Sequence, residues 1–492
     1  MNRQIRQLAV GLMACYVVLF VALNYWQVGR QEELNARFDN TRAIRREFDQ
    51  PRGDIVTVDG VVTAQSVENP PDSTFTYQRQ YPTGDLFANV TGYYTFAFGA
   101  TGLERTQNDV LTGNTPEQQL LNLPGIITGA DPSGSVRMTL RSDLQQVAKD
   151  ALGEREGSVV VIEPATGAVR AMWSYPTFDP NLIADPDFDT ARNYIDFYQQ
   201  YPGDPLLANA YQQRYMPGST FKVLTTGIGL ENGVIDLATT FPEETEFVPP
   251  QTTDPIENFG GTSCGGDLTE VFTRSCNIPF ARTALDIGVD RMISGVADWG
   301  VGEPIPIDLP RPAASTFGDT TDLAQNLPLL AIRGFGQNDD QMVPLHMAMV
   351  AATVANGGQM MKPYVVDQTI AHDGTVLDST EPEVWKTPIS AQTADTLTGL
   401  MIGVAERGTA SCCIALDNGI SVAAKTGTAQ LNGPGEPERS HAWIIAFAPA
   451  ENPQFAVAVM LKGTNAEISA GTGGRLAGPI AKTVLDAALA GG

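Results

Sequence analysis

Apolar residues follow three spacings along this chain, and each spacing predicts a different element. From Leu8 to Trp26 they are continuous but for Gly11 and Asn24. A run of about 19 residues matches the thickness of a bilayer core and predicts a transmembrane anchor over 8–28. Arg3 and Arg6 precede it, which predicts a short cytoplasmic tail, 1–7, and a single pass with everything after about Gly29 outside the cytoplasm. No small-x-small cleavage site stands before the charged stretch that begins at Arg30, so the segment reads as retained rather than removed. Leu12-Met13-Ala14-Cys15 is a faint lipoprotein box, outweighed by the apolar run continuing through Phe20.

Helical spacing recurs at Leu140 to Leu152, where Leu144, Val147, Ala148, Ala151 and Leu152 share one face. It also predicts helices over Leu268 to Leu285, Leu345 to Ala355 (stopped by Asn356-Gly357-Gly358) and Leu476 to Leu489. Short, wholly apolar runs predict strands at Ser158 to Ile162, Ala168 to Trp173 and Phe455 to Leu461, with Thr166-Gly167 turning between the first two. Ile420 to Ala424 and Ala442 to Phe447 flank a Gly/Pro-rich loop, Asn432 to Ser440, the pattern of an antiparallel hairpin. Polar composition marks a linker over 29–50. Arg52-Gly53-Asp54-Ile55 opens a β-like stretch with a turn at Asp59-Gly60, and Gly129 to Gly134 reads as a domain boundary.

Chemistry concentrates in three short stretches. Pro217-Gly218 turns into a predicted helix from Ser219 to Leu230, placing Ser219 and Lys222 one turn apart on one face. A neutral lysine amine at that spacing can take the serine proton, and unpaired N–H groups at a helix start favour developing negative charge. Chance supplies roughly one or two Ser-x-x-Lys pairs in such a chain, so the pair alone carries little. Ser275-Cys276-Asn277 follows as a Ser-x-Asn. Lys425-Thr426-Gly427-Thr428 is sharper, with roughly a tenth of a Lys-[Ser/Thr]-Gly expected by chance.

Taken together and in this order, the three are the motif set of penicillin-binding proteins and serine β-lactamases. The chain resembles the class B penicillin-binding proteins, the septal and elongation transpeptidases, and most of all the actinobacterial type A transpeptidases. Further matches are Arg52-Gly53-Asp54-Ile55, Val90-Thr91-Gly92-Tyr93, Gly102-Leu103-Glu104 and Phe178-Asp179-Pro180-Asn181. Two positions depart from the family: the acidic–basic pair after Arg-Gly-x-Ile reads Thr57-Val58, and Asn-Arg-Ala before the nucleophile reads Ala208-Asn209-Ala210.

The resemblance implies a multidomain α/β (α+β) protein: a membrane anchor, a β-rich non-catalytic pedestal over 51–135, and a transpeptidase domain over 136–492. That domain would hold a five-stranded antiparallel sheet flanked by helices. It implies a D,D-transpeptidase acting on peptidoglycan stem peptides through a serine acyl-enzyme, inhibited by β-lactams. Ser219 would be the nucleophile, Lys222 the base, Ser275 the proton relay to the leaving amine, and Asn277 a partner of Lys222 and the substrate backbone. Lys425 and Thr428 would meet the terminal carboxylate, and Thr426 and Gly427 complete the substrate-binding strand. No cofactor or metal is implied. A membrane glycan polymerase of the shape, elongation, division and sporulation family is implied as a partner.

Composition narrows this further. The length of 492 residues suits two or three domains, too little chain for an added glycosyltransferase. A net charge of −25 argues against nucleic acid. Cys264, Cys276, Cys412 and Cys413 allow three pairings or free thiols; Cys276 is expected to be buried. A Ser-His-Asp enzyme has only His346, His372 and His441 to draw on, none with a Gly-x-Ser-x-Gly partner. A β-lactamase of class A type needs a Glu-x-x-x-Asn carboxylate, and the nearest glutamate after Ser-x-Asn, Glu303, lacks it. Intact Lys222, Asn277 and Lys425 argue against a pure scaffold, and the pedestal argues against a β-lactam sensor.

Overall fold

Five of the apolar runs are strands of one sheet, and that sheet positions the site. The computed structural model describes residues 2–25, 48–122, 131–432 and 439–491. The strands are β1 (Gly157–Ile162), β2 (Val169–Tyr175), β3 (Ala423–Gln430), β4 (Ser440–Ala448) and β5 (Phe455–Leu461). They run in the order β3-β4-β5-β1-β2, every neighbouring pair antiparallel. β1, β4 and β5 are buried at every position. That is why they read as unbroken apolar runs rather than alternating ones: helices cover both faces.

Helix α2 (Ser142–Leu152) packs with α8 (Gly478–Ala490), and both pack on the sheet. So do α6 (Pro344–Ala355), almost wholly buried, and α7 (Ala391–Glu406). The sheet leaves β3 as an edge strand, and this edge carries Lys425 to Thr428.

The predicted helix over Leu268 to Leu285 is two helices, α4 (Leu268–Thr273) and α5 (Ile278–Ile287). Between them the Ser275 N–H donates to Phe272 O and the Cys276 N–H to Val271 O, while Ser275 has φ of +61°. This is a helix stop that usually employs glycine, and a serine in that backbone costs about 1–2 kcal/mol. The Ser219 helix likewise begins as a 3-10 turn, Gly218–Phe221, continued by α3 (Lys222–Glu231). The N-terminal helix α1 (Asn2–Asn24) takes in residues read as the tail 1–7. Gln and Arg are good helix formers, so a helix can run past the end of an apolar run. Most of the linker 29–50, the first two residues of 129–134 and the centre of 432–440 lie outside the described residues.

A second, six-stranded sheet has the order Val376–Ser379, Val366–Ile370, Ser135–Met138, Ile55–Val56, Val62–Glu68, Tyr77–Gln80. The expected boundary at 135/136 therefore runs through a strand. That strand pairs parallel to Ile55–Val56 on one side and antiparallel to Val366–Ile370 on the other. Residues 52–66 and 79–492 form one compact unit, and 1–51 with 67–78 form another.

Within the larger unit, Glu104 is wholly buried between two guanidiniums, with Arg52 Nε and Arg79 Nε each 2.6 Å from its carboxylate. Arg52 also lies over the Tyr94 ring at 4.3 Å. Burial alone would raise the Glu104 pKa; Arg79 and Arg52 overcome it and hold the carboxyl below its ordinary value. The contribution of this triad is thus present above the unfolded carboxyl pKa and is lost as pH falls through the folded one. Glu104→Gln leaves two buried cations without their carboxylate and is expected to cost about 3–5 kcal/mol in urea unfolding. A loss under about 1 kcal/mol would show the triad to be replaceable by neutral packing.

Candidate active site

The turn that carries Ser219 is locked against the sheet from both sides. Trp443, on β4, donates its indole N–H to Met216 O at 3.0 Å. The Gly218 N–H donates to Gly336 O at 2.9 Å, and Thr225 Oγ1 to Gly334 O at 2.8 Å. Two glycines permit this approach. Gly218 has φ of +54°, and a Cβ on it would stand 2.6 Å from Thr428 O; a Cβ on Gly427 would stand 2.6 Å from Pro217 O. No side chain larger than hydrogen fits between β3 and the turn.

Ser219 opens onto a cleft of about 220 Å³ that is also lined by Ser275, Asn277, Thr426 and Thr428. Lys222 and Lys425 are wholly buried behind it. Lys222 Nζ donates to Ser275 O at 2.7 Å and to Asn277 Oδ1 at 3.0 Å, with Ser275 Oγ at 3.4 Å. Lys425 Nζ donates to Ser275 Oγ at 2.7 Å and to Thr426 O at 3.0 Å. The left-handed backbone of Ser275 turns both its carbonyl and its hydroxyl toward the lysines.

Burial pushes the Lys222 amine well below the ordinary lysine value, and the charge of Lys425 pushes the same way. Burial lowers Lys425 to about 7. In a 3-10 turn, side chains three apart eclipse, so Ser219 and Lys222 lie on one side. Among the described residues no hydrogen bond joins the two side chains; catalytic contacts of this kind often tighten only around substrate.

Thr428 O accepts from Gln337 Nε2 at 3.4 Å, outside the ladder with β4. Because a strand residue points its N–H and C=O to the same side, the Thr428 N–H also faces the free edge. Thr426 Oγ1 hydrogen-bonds Thr409 Oγ1 at 2.5 Å.

Sequence reading missed Asn258. Its buried amide accepts from the Asn277 N–H at 2.9 Å and the Ile278 N–H at 3.1 Å, capping α5, and donates to Glu244 O and Thr262 O. Thr409 and Gln337 were also missed as lining residues.

Cys276, buried as expected, is disulfide-bonded to Cys264, and Cys412 to Cys413. His441 accepts from the Gly463 N–H, and His346 contacts Ser315 Oγ and Trp299 O. No histidine lines the cleft. Glu303 pairs with Lys386 and does not line the cleft either. No group of three or more His, Cys, Asp or Glu side chains that could hold a metal occurs among the described residues.

Residues 157–486 match the family model described as penicillin binding protein transpeptidase domain, and residues 52–136 the penicillin binding protein A dimerisation domain. The chain is 37% identical to the peptidoglycan D,D-transpeptidase PbpA of Mycolicibacterium smegmatis, over 99% of each chain. It is 28% identical to the peptidoglycan D,D-transpeptidase MrdA of Escherichia coli, over 80% of this chain and 70% of that one. A solved ceftriaxone acyl-enzyme complex of penicillin-binding protein A from Mycobacterium tuberculosis superposes with a TM-score of 0.83 at 34% identity, covering 90% of this chain and 100% of that one. A likeness sustained through both matched domains and along the whole chain leaves one assignment: the chain belongs to the class B penicillin-binding proteins.

Proposed function

We propose that this chain is a peptidoglycan D,D-transpeptidase that cross-links stem peptides during wall synthesis for division or elongation. The observation that carries the reading is the convergence of Ser219, Lys222, Ser275, Asn277, Lys425 and Thr428 on one cleft beside a free strand edge. The donor peptide adds to the edge of β3 as a further strand. Its terminal carboxylate meets Lys425 and Thr428. Ser219 attacks the D-Ala-D-Ala carbonyl while neutral Lys222 takes its proton. The N–H groups of Ser219 and Thr428 stabilise the oxyanion, typically about 3 kcal/mol for each donor. Ser275 relays a proton to the departing D-alanine, and an amine of a second stem peptide then replaces Ser219 on the acyl carbon.

A β-lactam presents the same carbonyl and carboxylate, so it acylates the same serine. Hydrolysis of that ester is slow because, among the described residues, no carboxylate lines the cleft to activate water. Helix α1 has the length and hydropathy to cross a bilayer. Arg3 and Arg6 favour a cytoplasmic N-terminus, which puts the catalytic domain outside, where a membrane glycan polymerase supplies its substrate.

Intact-mass measurement after penicillin treatment is expected to show a single adduct that persists for many minutes. Turnover of nitrocefin within seconds would replace the transpeptidase reading with a hydrolase.

A further inference from the structure

Two cavities of opposite polarity meet at the active centre. Among the described residues the catalytic cleft is lined by one arginine, Arg274, and no carboxylate, with the two buried lysines behind it. Beside it lies a wider groove of about 980 Å³, bounded by 255–261, by residues between Ile332 and Asn338, and by Gln430 and Asn432. The cavities share Phe259, Asn277, Gln337 and Gln430. Among the described residues Glu257 is the groove's only ionisable lining residue; the other polar side chains there are neutral amides. The backbone of Glu257 is fixed, because its C=O accepts from Asn277 Nδ2 at 3.1 Å and it pairs in register with Glu246. Its side chain is exposed.

A peptide added along β3 leaves the cleft at Gln430, which is where the groove begins. We infer that this groove binds a primary ammonium on a stem peptide, held by Glu257 against the apolar wall of Phe259. The inference rests on the transpeptidase reading and adds the second half of its substrate: a carboxylate end gripped in the cationic cleft, an amine in the anionic groove. A chain of net charge −25 favours the approach of a cation to that groove, and the amide lining suits a peptide backbone.

The ammonium has two sources, the donor peptide itself or the incoming acceptor. Full-length protein in detergent is given a thioester donor ending in D-alanine, in two arms. With the donor amine acetylated and the acceptor amine free, Glu257→Gln is expected to lower transfer relative to hydrolysis by about fivefold, and Glu257→Lys by more. With the amine on the donor only, the same variants would instead lower kcat/KM for acylation. High salt should shrink either effect. A response in one arm supports the inference and identifies the source; unchanged partition and acylation in both arms overturn it. Penicillin labelling of Ser219 is the control: full labelling with no charge effect rejects the groove alone, whereas absent labelling in the parent protein rejects the transpeptidase reading.

Discussion

The Ser219→Ala protein is expected to take up no fluorescent penicillin and to form no acyl-enzyme by intact mass. The loss should be complete rather than graded, because Ser275, whose hydroxyl also lies beside the two lysines, is not placed to replace Ser219. Ser275 Oγ accepts from Lys425 and its backbone is held by the helix stop, so it cannot advance to replace Ser219. Cys276, the one thiol in the motif, is consumed in its bond to Cys264. The substitution itself is mild. Ser219 Oγ makes no hydrogen bond among the described residues, and the turn is held by Trp443, Thr225 and the Gly218 N–H. The variant should therefore unfold with the parent's midpoint. Labelling that survives, mapped to any other residue, would remove Ser219 from the chemistry and with it the proposed mechanism.

How much of this was legible in the chain depends on the range of the interaction. The anchor, the buried strands and the Lys-Thr-Gly hairpin are local patterns, and period and composition exposed them. The spacing of Ser219 and Lys222 conveyed their shared face because a helical turn fixes it. The break at Ser275 was hidden: glycine would have advertised a left-handed stop, whereas serine there is read as helix. Asn258 carries no motif, and its role comes only from folding 244, 262 and 277 around one amide. The recruitment of 366–379 into the six-stranded sheet joins segments more than 200 residues apart along the chain, which no local pattern encodes. Cysteine pairing was left open among its alternatives, and only the folded chain chooses Cys264 for Cys276.

Lys222→Met is expected to lower the second-order rate of penicillin acylation by about a thousandfold, within the 10²–10⁴ range of a positioned base. Methionine fills the buried volume without charge, so the loss reports the amine and not a cavity. The parent rate should fall as pH drops through the depressed Lys222 pKa, since protonation removes the acceptor for the serine proton. Burial is the larger cause of that depression and Lys425 the smaller. Lys425→Met should therefore move the pH limb upward without restoring it to an ordinary lysine value. The same lysines tie stability to pH with a definite sign. Lys425 titrates near 7 when folded and near 10.5 when unfolded, so across that window the unfolded chain binds more protons and stability rises with pH. Activity and stability thus fall together on the acid side, and only the rate can be separated by mutation. If Lys222→Met kept the parent's acid limb, the titrating base would be another group, and Lys425, joined to the same Ser275 hydroxyl, would be the one to test next.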